Sequence, residues 1–442
     1  MASRLRIAWV SDYDRSGGYG STLSSYCTKL LLPLMQERFD IELFCEPHSL
    51  KGGLGEVRHY LTALVRHKEA PFDLFFYQLE DHRRARFVRS QLGLMPGILW
   101  AHDLYLSDLG AEALHTSPWE NTIRRYYDRD VPFADRVHPP HQLAPLAFRE
   151  VSLSPVVLCS SQRGLDAVAR ITGPRLTVDK GGDFGLGYLP VPVPSDALLV
   201  QPRRLREQCE ELHLVTAASA GLEGRPHKFL EALAGYNAAW RLTWVVDGSE
   251  SARAYSLLNE FGVTDRVAVL EGRNPEQWLQ VLQKADVALH LHNGFFGHVG
   301  PYLQMSLAAG VPCIGVRAIG GADFPEGVVW TVVPGQLEAV QIREAVAAIV
   351  QVGVDAAGAQ GRLIMQRENE AALVAEALGS TFVRYAETLK GITAQWDQLY
   401  SDAREALFQE VQHLMDGGDS TTLSPFGEVF LPAARELGRL EK

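Results

Sequence analysis

The chain has 442 residues, too many for one ordinary core and suited to two domains of roughly 200 residues each. Hydrophobic residues make up 46% and charged residues 21%, the balance of a folded globular protein. The formal net charge of −11 excludes a general polyanion binder and argues against nucleic acid as a partner, leaving only a local basic groove open.

The opening MASRLRIAWVSDYD turns acidic before a long apolar segment develops, so no signal peptide is expected. No run approaches the ~18 apolar residues of a membrane span. Five scattered cysteines (Cys27, Cys45, Cys159, Cys209, Cys313) include no CxxC pair. They read as buried thiols in a reducing compartment rather than as disulfides or a zinc site. A cytoplasmic location is expected, with peripheral contact to the inner membrane left open.

The first strand, IAWVS (7–11), runs into SDYDRSGGYGSTLSSY. Gly17, Gly18 and Gly20 lie between that strand and a helix capped by Ser21 or Thr22. A glycine loop lets backbone approach a ligand closely, and a plain tight turn explains it equally well. Asp12 and Asp14 resemble a metal pair, but turn formation or acceptance of ligand hydroxyls is the commoner role of such residues.

Four more apolar runs follow: DIELFCE (40–46), FDLFFYQL (72–79), GILWAHD (97–103) and PVVLCSS (155–161). Amphipathic stretches separate them, among them STLSSYCTKLLLPLMQ and LGEVRHYLTALVRH (53–66), both expected to be helical. Apolar runs without alternation suit strands buried on both faces, and their alternation with helices predicts βαβ units. In GILWAHD, His102 and Asp103 fall just past the strand's carboxyl end, where doubly wound sheets place ligands. A histidine that merely caps the strand would satisfy the same position.

YLPVPVPSDALL (188–199) has alternating prolines, which favour extended chain, and marks the linker. Beyond it the pattern repeats in LHLVTAAS (212–219), WRLTWVVDG (240–248), RVAVLEG (266–272), DVALHLH (286–292), PCIGV (312–316) and VVWTVV (328–333). Arg225, His227 and Lys228 cluster at the start of the helix HKFLEALAGYN. Cations there oppose the helix dipole unless an anion binds as well. Further on, Gly297-His298-Val299-Gly300-Pro301 precedes YLQMSLAAG. Proline suits the first turn of that helix, whose unpaired N–H groups can receive phosphate oxygens, and Gly310 suits its exit. In the last stretch Phe382, Tyr385, Leu389, Ile392, Trp396 and Leu399 recur at helical spacing, as core packing requires.

These motifs, in this order, resemble the retaining glycosyltransferases of the GT-B fold, specifically the large family 4, over most of residues 5–400. FFYQLEDHRRARFV followed by PGILWAHDL resembles a bacterial subset of that family, and VVLCSSQRGLDAVAR the strand and helix that end its first domain. The second-domain series from KFLEAL through SLAAGVPCIGV follows the family's order and spacing. The resemblance implies an α/β chain of two facing Rossmann-like doubly wound domains plus C-terminal helices. The acceptor-side domain would occupy 1–190, a linker 191–210, the nucleotide-sugar domain 211–362, and helices with a tail 363–442. It implies a nucleotide diphosphate sugar as donor, no cofactor and no metal. The acceptor is unidentified: a glycan, a lipid-linked sugar, a protein or a small molecule.

Residue by residue, Lys228 matches the basic residue on the diphosphate, Glu271 and Arg273 the segment beside the nucleobase, and His102 the first-domain residue near the transferred sugar. Asp103 would orient that group. The chain departs from the family at its two glutamates spaced by seven residues, where Gly297 and Met305 stand. In the bacterial subset a glutamate falls one place on, at His298 here. His298 would then replace a carboxylate as a catalytic group, with Val299 and Gly300 offering loop amides and Gln304 standing in for Met305 at the ribose. Glu223 occupies the place of the family's arginine, which Arg225 would replace.

An active retaining transferase is therefore the expected function. A noncatalytic GT-B protein that scaffolds or activates another glycosyltransferase is the alternative, favoured by the altered glutamates. Its partner surface would be the insertion SPWENTIRRYYDRDVPFADRVHPPHQLAPLAFRE (117–150), rich in arginine, aromatic residues and proline. A sugar epimerase or hydrolase would need an acid/base carboxylate pair, which the sequence does not disclose.

Overall fold

The structure is a computed structural model. It describes residues 4–13, 22–46, 57–81, 85–104, 106, 147–172, 185–200, 211–221, 224–272, 274–291, 301–316, 324–325 and 327–417. Gly17, Gly18, Gly20, Arg273, Gly297, His298, Val299 and Gly300 lie outside these residues, as does most of the 117–150 insertion. Contacts divide the chain into two compact units, 1–390 and 391–442.

The first unit contains two parallel sheets. The first runs β3-β2-β1-β4-β5-β6-β7, with β1 Arg6–Val10, β2 Asp40–Cys45, β3 Val57–His59, β4 Leu74–Leu79, β5 Ile98–Ala101, β6 Val156–Cys159 and β7 Gly185–Tyr188. The second runs β10-β9-β8-β11-β12-β13, with β8 Leu212–Thr216, β9 Trp240–Val246, β10 Val267–Glu271, β11 Val287–His290, β12 Cys313–Val316 and β13 Val329–Val332. All the long apolar runs of the sequence are strands. Those of β4, β5, β6 and β12 are buried throughout, as a sheet covered on both faces requires.

In each sheet the strand order reverses once. The chain leaves β1 toward β2 and β3 and returns on the other side at β4. It leaves β8 toward β9 and β10 and returns at β11. Such reversals open a crevice at the carboxyl ends of the two flanking strands, the usual ligand position in open α/β sheets.

Two strands escape the sequence pattern. In the stretch 53–66, expected to be helical, the described residues from Val57 open with β3 and a short 3-10 turn at Tyr60–Thr62, and a helix begins only at Ala63, running to Glu69. The Nδ1 of His59 accepts from the Leu61 N–H, and Thr62 Oγ1 donates to the His59 carbonyl, so the chain turns before a longer helix can form. Leu61 and Val65, which would have supplied its apolar face, are exposed. Strand β7 is the glycine-rich GLGY. Gly185 lets Tyr385 approach closely: a Cβ there would lie 2.4 Å from the Tyr385 hydroxyl and would force that ring to shift.

The expected linker is extended through Val193 and then forms the short helix Ser195–Leu199. It is tied to the end of the second-sheet region. The Val193 N–H donates to the Asn369 carbonyl at 2.7 Å, the Ala371 N–H to the Val193 carbonyl at 3.1 Å, and Asn369 Nδ2 to the Val191 carbonyl at 3.0 Å. The helix Ala371–Gly417 begins there. Its first part returns to the first sheet, with Phe382 edge-on to Phe76 and Phe39. Residues 371–390 thus complete the core of the first sheet, which places part of the expected C-terminal segment within the first domain's packing.

The helix Pro301–Ala308 is held by the helix Val354–Ile364. Gly358 permits their approach, since a Cβ there would fall 1.8 Å from the Gly310 carbonyl oxygen. Gly310 has φ +75°, and the Val311 N–H donates to Ser306, closing the helix with a left-handed cap. Gly358→Ala is expected to lower stability by about 3 kcal/mol through overpacking, read as a drop in the urea midpoint.

Candidate functional site

At the first reversal the carboxyl ends of β1, β4, β5 and β6 carry a chain of buried polar groups. Ser11 Oγ donates to the Asp12 carbonyl at 3.0 Å and accepts from Thr28 Oγ1 at 2.9 Å. Thr28 in turn accepts from Gln78 Nε2 at 2.7 Å. The amide is thereby oriented, so its Oε1 accepts from His102 Nε2 at 3.0 Å. Nδ1 lies within hydrogen-bond distance of Ser160 Oγ, at 2.7 Å. His102 is buried and lies against Trp100. Both of its nitrogens are engaged by protein groups, which makes it a positioning residue at the strand ends.

Asp103 lies beside it and accepts from the Asp81 N–H through Oδ2 at 3.1 Å. The sequence reading overlooked Glu80, which follows β4 and is buried. Its Oε2 accepts from the Ser24 N–H at 3.1 Å in the first turn of α1, Leu23–Gln36. Thr22 caps that helix, accepting from the Ser25 N–H while its hydroxyl donates to Asp12 Oδ2 at 2.9 Å. Burial, reinforced by the charges of Asp12 and Asp103, pushes the Glu80 carboxyl up to about 8 against the pull of the helix N–H groups. Run through "YQLED", this glutamate carried no periodic or motif signal. Only the strand order brings it beside Asp12.

At the second reversal, Thr216 closes β8 by donating to the Leu289 carbonyl at 2.8 Å. Ser219 Oγ accepts from the Gly221 N–H at 2.9 Å and donates to Glu250. The loop turns tightly at Gly224, where a Cβ would lie 1.9 Å from the Ser219 carbonyl oxygen. Arg225 follows in the left-handed region, φ 52° and ψ 42°, at the start of the helix Pro226–Ala234. Its Nε donates to Glu338 Oε1 at 2.7 Å and its Nη2 to Oε2. Glu338 is fully buried. This clasp accounts for a cation at the helix start without an anionic ligand. Lys228, one turn along, is half-exposed, and among the described residues its ammonium meets Glu231 at 3.3 Å across the helix surface.

Glu271 ends β10 and is exposed, next to Gly272 at φ +101°. In the helix Pro301–Ala308, Met305 is fully buried and offers no acceptor for a hydroxyl. Gln304 is buried too, and its Oε1 has no hydrogen-bond partner. A second group missed by the sequence reading, His290, ends β11. Its Nε2 donates to Ser306 Oγ at 3.1 Å, which also accepts from Trp278 Nε1 at 3.2 Å and donates to the Tyr302 carbonyl at 2.7 Å. Burial drives His290 down to about 3, so the ring is neutral.

The structure thus gathers His102 and Asp103 at one crevice, and Arg225 and Lys228 at the other, with Gln304 and Met305 on the helix that follows β11. Among the described residues no group of His, Cys, Asp and Glu is arranged to hold a metal ion, and no helix is long and apolar enough to cross a membrane.

No protein-family model and no curated protein matches the chain. Solved structures do. A sucrose-phosphate synthase from Thermosynechococcus elongatus superposes with TM-score 0.59 at 15% identity, over 86% of this chain and 99% of that one. HepE of Anabaena in complex with UDP-glucose gives 0.56 at 15% identity, over 86% and 100%. The lipopolysaccharide outer core galactosyltransferase WaaB, in its apo form, gives 0.54 at 14%, over 86% and 99%. Two parallel Rossmann-like sheets and a closing helical region define the GT-B fold, and this chain has it.

Proposed function

We propose that the chain is a glycosyltransferase that moves a sugar from a nucleotide diphosphate sugar to a hydroxyl of an acceptor, with retention and without a metal. The observation that supports this reading is a GT-B fold matched over 86% of the chain by HepE, whose structure is in complex with UDP-glucose, together with Lys228 standing half-exposed beside the second reversal. Lys228 would neutralise the diphosphate, helped by the loop 297–300 and the helix N-terminus at Pro301. His298 would replace a carboxylate there, with Gln304 near the ribose and Glu271 and Arg273 beside the base. His102 would hold the acceptor side in register through Gln78 and Ser160, and Asp103 would face the transferred sugar. A cytoplasmic setting fits a nucleotide-sugar donor.

Titration with UDP-, GDP- and ADP-linked sugars tests the reading. At a hundredfold excess over Kd a true donor adds about 2.7 kcal/mol to the folded state and raises Tm. Lys228→Ala should weaken that donor by about tenfold or more, through loss of one charge-assisted hydrogen bond. If none of the donors shifts Tm, the transferase reading fails.

The buried thioether of Met305 favours a second reading, a noncatalytic partner of another glycosyltransferase, since no carboxylate stands there for ribose hydroxyls. Release of nucleoside diphosphate on incubation with the donor that binds separates the two. Binding without turnover supports the partner role.

A further inference from the structure

At the first reversal the fold leaves two carboxyl oxygens without partners. Asp12 is fully buried and Glu80 nearly so. One oxygen of each is used, Asp12 Oδ2 by the Thr22 hydroxyl and Glu80 Oε2 by the Ser24 N–H. Asp12 Oδ1 and Glu80 Oε1 have no hydrogen-bond partner. Capping α1 needs only the oxygens already engaged. Leaving two further carboxyl oxygens unsatisfied in one buried cluster costs the desolvation of each, which a ligand hydroxyl would offset. They flank β1 and β4, the strands between which this sheet reverses and where such sheets bind ligands.

The two groups differ in what they offer. Asp12 accepts a hydroxyl hydrogen bond, whereas Glu80 keeps its proton at neutral pH and can donate it to an oxygen. The charged and titratable groups around Glu80 are Asp12 beyond β1, Asp103 beyond β5, and Cys27 on α1, whose thiol burial and the Glu80 charge push well up. Among the described residues, none of the charges acting on Glu80 is a cation. An acceptor beside a neutral donor matches a ligand oxygen that both donates and accepts, which is a hydroxyl. A phosphate or carboxylate would meet the charge of Asp12 instead.

We propose that Asp12 and Glu80 form a subsite for a sugar or cyclitol hydroxyl, with Glu80 donating a hydrogen bond to the ligand oxygen and Asp12 accepting one from the ligand O–H. The subsite rests on the transferase reading for its role as the acceptor position, though not for its chemistry.

The test uses the full chain with free hexoses and myo-inositol as probes, followed by saturation-transfer NMR. Spectra are taken about one pH unit below and above the Glu80 value, where the neutral acid falls from about nine-tenths to about one-tenth of the population. Wild type should bind a probe about tenfold more weakly at the higher pH, because only the neutral fraction is competent. Glu80→Gln, which donates at every pH, should keep binding and abolish the pH dependence. Asp12→Asn should weaken binding at both pH values. The proposal is overturned if wild type binds no probe, in which case Asp12 and Glu80 only share a proton with each other. It is equally overturned if Asp12→Asn and Glu80→Ala, both shown folded by circular dichroism, bind as wild type does. Nucleoside diphosphate melting shifts on the same samples separate the two readings. A nucleotide shift without a sugar signal removes this subsite alone, and a sugar signal without a nucleotide shift removes the donor assignment alone.

Discussion

Arg225→Ala is expected to destabilise the second-sheet region by about 3–5 kcal/mol, because it strands the charge of Glu338 in a site from which water is excluded. Glu338 is fully buried, and two guanidinium donors reach its two oxygens. Arg225→Lys should recover little, since a point charge cannot reproduce the paired contact. The double change Arg225→Met with Glu338→Leu should recover most of the loss, because apolar replacement of a buried pair is often neutral or better. Urea unfolding monitored through Trp240, Trp244 and Trp278, all buried around this sheet, reads the effect. If the guanidinium instead serves the diphosphate, Arg225→Ala would leave the urea midpoint in place and weaken nucleotide binding alone.

The same residue shows why the fold was more legible than the site. Parallel strands buried on both faces write themselves as apolar runs, so β1, β4, β5, β8, β9 and β11 stand out in the sequence, and their alternation with helices gives the architecture. Strands β3 and β7 do not, since one is the polar VRH at an edge and the other is GLGY shaped by Tyr385. Site chemistry depends on contacts between distant segments. The cluster Arg225, His227, Lys228 implies an anion only if nothing in the fold supplies one, and Glu338, 113 residues on, does. His102 was placed correctly at a strand end, but its partners Gln78 and Ser160 come from two other strands. Glu80 was invisible because its meaning lies in the reversal that sets β4 against β1. The proposed hydroxyl subsite pairs Asp12 with Glu80, and neither residue alone announces it in the sequence.

Those two crevices also hold the groups that set how stability responds to pH, and they pull in opposite directions. Glu80 moves from an ordinary 4.5 up to about 8 on folding. Between those values the folded chain holds a proton that the unfolded chain has released, so stability is full below 4.5 and falls as pH rises, by about 1.4 kcal/mol per unit, levelling off past about 8. His290 moves from 6.5 down to about 3. Between those values the unfolded chain holds the extra proton, so stability is full above 6.5 and falls at the same rate of about 1.4 kcal/mol per unit as pH drops toward 3. From 4.5 to 6.5 the two slopes cancel. The pair therefore contributes a plateau over that interval, a decline on the alkaline side belonging to Glu80 and a decline on the acid side belonging to His290. Glu80→Gln should remove the alkaline limb, about 2 kcal/mol between pH 6.5 and 8, and turn the plateau into a rise of about 3 kcal/mol from 4.5 to 6.5, leaving the limb below 4.5 unchanged. His290→Gln should do the converse, its amide still able to donate to Ser306. Urea midpoints of wild type and both variants across pH 3 to 9 read these differences directly, since every other titrating group is common to the three chains. An alkaline limb that persists in Glu80→Gln would mean that the carboxyl is ionised in the folded state, and the first crevice would then present two negative charges rather than one acceptor and one donor.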